Sequence, residues 1–367
     1  MVGRASCPSK DVSYSGDGLE DRPTKMPVPV IRSSALGCVQ ADMVPPMIDL
    51  STNLAGLELR NPVLLAAGTA GVLDESAEVM DLSAVGGLVT KSITPEPREG
   101  NQPWRVAPLP VGMLNAVGLA NPGVEAFASE IAPRAGRVPT TVIGSVAGFS
   151  IDDYVSVCAA MEAAEHIPAV ELNVSCPNVH GGVEFGADPN ELSNLIRAVR
   201  PVLATTRLFV KLPPLIIGRP SIVDAARAVI EPGGEPAGPN ARPGADAITI
   251  ANTIPATAID VTSDEPLLGA GAGGLSGPAV HPIAVKLVRD AYTGIARDTR
   301  TPIIGVGGVL MWADAAEFLL AGATAVQIGT GLLADPRIPI KVVLGLTKWA
   351  DSRGFSAVSE AVGRAVR

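Results

Sequence analysis

Aromatic residues are scarce in this 367-residue chain, with 3 Trp, 3 Tyr and 6 Phe making up 3% of it. Few rings are available to stack bases, and no Lys/Arg run emerges from 28 basic against 37 acidic residues, which argues against nucleic acid as a partner. Cysteine is equally sparse. Cys7, Cys38, Cys158 and Cys176 show no CxxC spacing, so a zinc site, an iron–sulfur cluster and a disulfide scaffold are all disfavoured, no metal is expected, and a reducing cytoplasm fits. Long apolar runs are missing too. The most apolar stretch, Ala315 to Leu333, is interrupted by Glu317, Gln327 and glycines, so no membrane span is expected. The first forty residues lack a basic-then-apolar signal pattern, and Leu36-Gly37-Cys38 has no apolar helix before it.

Glycine and proline are abundant, at 39 and 33 residues, and follow no fixed period. They read as turns between many short elements. Residues 1–46 read as a disordered extension, or as upstream sequence if translation starts at Met43 or Met47, and 47–367 as one catalytic domain. From Ile48 onward, short apolar runs alternate with amphipathic helical stretches. The runs are Val63–Ala66, Gly87–Lys91, Thr141–Ser145, Ala169–Asn173, Leu208–Lys211, Ala247–Ala251, Pro302–Gly305 and Ala325–Ile328. Each is apolar on both faces, as buried parallel strands are. Ser150 before Asp152-Asp153, Asp188 before Glu191, and Ser221 mark helix starts. Eight βα units predict an α/β fold, a TIM (β/α)8 barrel, preceded by an N-terminal hairpin over Ile48–Leu59 that caps its floor. Residues 231–244, dense in Gly and Pro, read as an inserted surface loop.

In such a barrel the chemistry sits where the strands end. Those ends carry Ala67-Gly68, Lys91-Ser92, Ser145, Asn173 to Cys176, Lys211, Asn252-Thr253, Gly307-Gly308 and Gly329-Thr330. Two lysines in an interior that otherwise avoids charge require an anionic partner. The glycines after the seventh and eighth strands suit a phosphate, whose natural bearer is a cofactor. Cys176 lies just past the fourth strand and is followed by His180-Gly181-Gly182, a glycine-hinged loop that reads as a lid. A buried thiol near cations and substrate can serve as a base. A Cys/His hydrolase built on Cys176 and His180 is disfavoured, because no oxyanion hole or orienting third group accompanies the pair. His166 and His281 read as helix-edge residues, and Cys158 as core.

Several motifs in one order now resemble a known family. They are Lys91-Ser92 with Pro97-Arg98-Glu99-Gly100-Asn101, then Met113-Leu114-Asn115-Ala116-Val117-Gly118-Leu119-Ala120-Asn121-Pro122-Gly123, the segment Asn173-Val174-Ser175-Cys176-Pro177-Asn178, Val210-Lys211-Leu212-Pro213, Asn252-Thr253, and Gly273-Gly274-Leu275-Ser276-Gly277-Pro278. Together they resemble class I dihydroorotate dehydrogenase, in particular its heteromeric NAD-linked subgroup. The resemblance runs from about Ile48 to the C-terminus, without the 231–244 insertion.

It implies an FMN-containing barrel that oxidises (S)-dihydroorotate to orotate in pyrimidine biosynthesis, with Cys176 as the base. Lys91, Asn115, Gly118, Leu119, Asn173, Asn252 and Thr253 would hold the substrate. Ala67, Lys91, Ser92, Ser145, Asn173, Lys211, Ala251, Gly277, Gly307, Gly308, Gly329 and Thr330 would hold FMN, with Lys211 stabilising the anionic reduced form. The resemblance further implies a separate subunit carrying FAD and [2Fe–2S] that reduces NAD⁺, in a homodimer or heterotetramer; a self-sufficient fumarate-using enzyme is the other class I arrangement. Ala67 stands where the family usually has serine, Ser145 where the subgroup often has asparagine, and Ile254 to Ala258 where a Leu-x-Gly-Met-like segment is common. A paralogue acting on another dihydropyrimidine and a non-enzymatic scaffold are the competing readings.

Overall fold

A computed structural model of the chain describes residues 48–175, 185–233 and 243–366. The predicted extension 1–46, Cys176 with the lid segment after it, and the middle of the 231–244 insertion lie outside the described residues. The described residues fall within one compact unit.

The chain opens with β1 (Thr52–Leu54) and β2 (Leu57–Leu59), paired antiparallel as the expected hairpin. Its turn residues, Ala55 and Gly56, have φ of 54° and 90°. Two successive left-handed residues give a tight turn whose twist matches the flanking strands. There follow β3 (Val63–Leu65), β4 (Gly87–Val89), β5 (Val106–Leu109), β6 (Gly112–Asn115), β7 (Thr141–Val146), β8 (Ala169–Asn173), β9 (Arg207–Leu212) and β10 (Ala247–Ile250). The remaining strands are β11 (Ile254–Ala256), β12 (Ile259–Asp260), β13 (Glu265–Pro266), β14 (Gly273–Ser276), β15 (Ile303–Val306) and β16 (Ala325–Ile328). Strands β3, β4, β7, β8, β9, β10, β15 and β16 each pair parallel with the next, and β16 returns to β3, closing a barrel. Every predicted apolar run falls on one of these eight strands.

Helices return the chain between barrel strands, and the predicted start signals operate. Ser150 accepts from the N–H of Asp153, whose carboxylate takes the N–H of Ser150 in return, at the head of Ile151–Glu162. Ser221 and Asp224 do the same for Ile222–Ile230. Asp188 caps Pro189–Val199 by accepting from Asn190 rather than by pairing with Glu191.

Alternation along the strands sorts side chains into layers, because every second residue points to the barrel axis. The lowest layer is apolar: Leu64, Val89, Ile143, Ala169, Phe209, Ala247, Ile304 and Ala325 form one buried cluster, with a residue from each barrel strand. Leu54 and Leu59 join that cluster from the hairpin and plug the floor. The turn of the hairpin lies against Arg207 at the start of β9, which places it at the N-terminal end of the barrel.

A second sheet, absent from the sequence reading, covers the opposite end. Its order is β11-β14-β6-β5, all antiparallel, packed over Ala107, Leu114 and Leu268. Its strands look unlike strands: Pro108 lies in β5, Pro255 in β11 and two glycines in β14. The prolines are tolerated because β5 and β11 are the sheet's edges, where a missing N–H breaks no ladder.

Leu59 is 1% exposed within the floor cluster, so Leu59→Ala removes packing that nothing else fills. The expected loss is about 3 kcal/mol of stability, measured as a lower urea midpoint.

Candidate active site

One layer above the apolar floor, alternation brings polar residues to the axis. Lys211 of β9 is 7% exposed, and its Nζ stands 3.4 Å from Gln327 Oε1 and 3.9 Å from Glu171 Oε1. Glu171 of β8 is fully buried, and its Oε2 accepts from Thr249 Oγ1 at 2.7 Å and Gln327 Nε2 at 2.6 Å. The anionic partner demanded for Lys211 is therefore in the protein itself. Glu171 was not among the predicted site residues, although a carboxylate in the apolar run Ala169–Asn173 was a visible anomaly.

Above this layer, between the strand ends and the four-stranded sheet, lies a cavity of about 780 Å³. All the described residues predicted for substrate or cofactor line it except Ser145. Ser145 is fully buried behind Ser92, whose Oγ lies 2.9 Å from its own, while its N–H donates to Thr90. It supports the wall and does not form it.

One end of the cavity is a glycine cradle of Gly277, Gly307, Gly308 and Gly329, beside Thr330. Gly277 and Gly308 have φ of 93° and 70°, and a Cβ on Gly308 would come within 2.8 Å of the Gly277 carbonyl oxygen. A Cβ on Gly329 would meet nothing closer than Ala66, at 3.5 Å. Among the described residues, the N–H groups of Gly307 and Gly308 have no acceptor. Free N–H groups on a bare, convergent backbone suit a phosphate. His281, expected as a helix-edge residue, opens the helix His281–Ala291 and braces the cradle: its Nδ1 donates to Gly307 O at 2.8 Å, while Nε2 lies 3.1 Å from Glu317. Phe318 meets its ring edge-on at 5.0 Å.

The other end is lined with amides. Asn252 donates to Asn173 Oδ1 at 3.0 Å and accepts from the N–H of Thr253 at 2.8 Å, and Asn115 donates to Gly274 O at 3.2 Å. Gly118 and Leu119 adopt φ of 75° and 56°, and a Cβ on Gly118 would lie 2.6 Å from Asn101. Asn121 holds this left-handed pair: its Oδ1 accepts from the N–H groups of Thr94 and Gly123, and its Nδ2 donates to Thr94 Oγ1 and Leu119 O. Arg98 stacks on Phe149 at 4.7 Å, and both line the cavity without having been predicted for it. Arg98 stood within a motif of the resemblance without being assigned a role, and Phe149 carried no local signal.

Lys91 lies along the wall with Ser92, Ala67 and Ala251. Burial, with a smaller contribution from the nearby Arg105, holds its ammonium below the ordinary lysine pKa. An anion bound beside it would favour the charged form again. Cys158 is buried core, as expected, and burial pushes its thiol pKa up. Cys176 lies outside the described residues, but Ser175, the residue before it, lines the cavity.

These features define a (β/α)8 barrel in which a glycine cradle and an amide-lined pocket share one cavity at the strand C-termini, where barrel enzymes keep their active sites. The family model described as dihydroorotate dehydrogenase matches residues 49–349. A protein of Bacteroides fragilis named dihydroorotate dehydrogenase B (NAD(+)), catalytic subunit, is 41% identical over 318 residues, 86% of this chain and 99% of its own length. One of the same name from Desulforudis audaxviator is 41% identical over 315 residues, covering 86% and 96%. An Aquifex aeolicus protein, provisionally named dihydroorotate dehydrogenase A (fumarate), is 43% identical over 284 residues, covering 77% and 87%. The chain belongs to the dihydroorotate dehydrogenase family.

Asn121→Ala would strand the buried N–H groups of Thr94 and Gly123. A loss of roughly 2 kcal/mol is expected, read by urea denaturation together with faster hydrogen exchange at those two amides.

Proposed function

We propose that the chain oxidises (S)-dihydroorotate to orotate, a step of pyrimidine biosynthesis, using FMN bound in the cavity. The observation that carries this reading is the single cavity that joins a phosphate cradle to an amide-lined pocket. The residues fit a flavin mononucleotide: the free N–H groups of Gly307 and Gly308 suit one phosphate, with Gly277, Gly329 and Thr330 around it. Ala67, Ser92, Asn173 and Ala251 would line its ring, and Ser145 would act through Ser92. When bound, FMN supplies a two-electron acceptor for the hydride from C6 of the substrate.

The chain's own residues perform the rest. Cys176 would take the C5 proton as general base, so that proton and hydride together account for the two hydrogens lost in forming orotate. A thiol base must stay reduced, in keeping with a cytoplasmic location. Asn115, Asn173, Asn252 and Thr253 offer amide and hydroxyl partners to the carbonyls, N–H groups and carboxylate of a dihydropyrimidine, and the Gly118–Leu119 backbone closes on it. Lys91 would sit where substrate and flavin meet, its ammonium favoured by the substrate's negative charge. Lys211 would face the flavin ring and offset the charge that reduction brings.

The electrons must then leave. The names of the Bacteroides and Desulforudis relatives, a catalytic subunit linked to NAD(+), support a partner subunit that passes electrons to NAD⁺; FAD and [2Fe–2S] would be its carriers. The name of the Aquifex relative supports the second reading, direct reoxidation by fumarate.

Anaerobic mixing of the yellow purified protein with dihydroorotate tests the reaction. Flavin bleaching with orotate absorbance is expected; bleaching by dihydrouracil but not by dihydroorotate would favour the paralogue, and a colourless protein that takes up no FMN would refute the flavin reading. Cys176→Ala should slow bleaching by at least about 100-fold while FMN stays bound. Reoxidation of the bleached chain by fumarate without a second protein would exclude the partner.

A further inference from the structure

The pair beneath the cavity is incompletely closed. Glu171 is fully buried, and while its Oε2 is satisfied by Thr249 and Gln327, its Oε1 has no hydrogen-bond partner. The cation nearest that oxygen is Lys211 Nζ, 3.9 Å away and outside hydrogen-bond range. Lys211 is held to Gln327 only by a long contact of 3.4 Å, and its side chain lines the cavity. A purely structural ion pair buried this deeply would close on itself, because an unmet carboxylate oxygen in a dry interior is costly. Here the ammonium instead stands between the carboxylate below and the cavity above.

We propose that Glu171 is a positioning residue that sets how much of the positive charge of Lys211 reaches the bound flavin, and so poises its reduction potential. The inference rests on the reading of the cavity as a flavin site. With Glu171 ionised, the pair is neutral as seen from the cavity. Removing the carboxylate charge directs the whole ammonium charge upward, where it favours the more negative, reduced ring. Removing Lys211 leaves the carboxylate facing the ring and does the reverse.

The test uses the FMN-loaded protein, with the potential measured by anaerobic equilibration against redox dyes. Glu171→Gln keeps the shape and the bonds to Thr249 and Gln327 but not the charge. It should shift the reduction equilibrium toward reduced flavin at least tenfold, about 30 mV upward for a two-electron couple. Lys211→Met should move it downward. Glu171→Asp, which keeps the charge and loses the shape, should stay within threefold of the parent. A role in packing alone would give the opposite pattern, a silent Gln and a disruptive Asp, and would overturn the proposal. So would a flavin-loaded Glu171→Gln protein with an unchanged or lowered potential. If Glu171→Gln fails to fold, Glu171→Ser, which leaves room for water, should show the same upward shift. A parent protein that binds no FMN would instead refute the reading on which the inference rests, and the visible spectrum separates the two failures.

Discussion

Closure of the parallel ladder is the constraint on which the rest of this molecule depends. Because β16 pairs back onto β3, no barrel strand has a free edge, and every second side chain must meet the others on one axis. That geometry makes depth a function of position along a strand. Ala169, Glu171 and Asn173 are successive inward residues of β8, and they lie in the apolar floor, the buried polar layer and the cavity wall respectively. On β9, Phe209 and Lys211 repeat the first two steps.

The floor and the roof have different physical jobs. At the N-terminal end the hairpin inserts Leu54 and Leu59, so that end is sealed by apolar packing. At the other end the sheet of β5, β6, β11 and β14 stands over the strand ends and leaves a cavity beneath it. Its residues serve both as roof and as wall: Asn115 belongs to β6, and Gly277 directly follows β14. Close approach is what the glycines there permit. A Cβ on Gly274 would collide with the hydroxyl of Thr253, and one on Gly277 with the backbone of Gly112.

Much of the barrel was legible because its signals are local. Each strand is a short apolar run, the helix starts at Ser150 and Ser221 carry their capping partners three residues away, and the polar residues that follow the runs mark the catalytic end. The roof strands were not legible, since Pro108, Pro255, Gly273 and Gly274 depress strand propensity and only edge placement or close packing makes them acceptable. The site was legible by type more than by partner. Lysines at strand ends announced a need for negative charge without saying where it would come from.

What the sequence determined by itself is the order of eight strands, the floor hairpin, the glycines of the cradle and the set of polar residues at the strand ends, because each is written in neighbouring residues. What only the tertiary structure decided is pairing. Gln327 reaches Glu171 across 156 residues of chain, Asn252 meets Asn173 across 79, and Ser145 falls behind Ser92 across 53. His281 likewise becomes a brace for the cradle only because Gly307 comes to lie beside it. Contacts of that span follow from barrel closure and strand register, which no local pattern encodes.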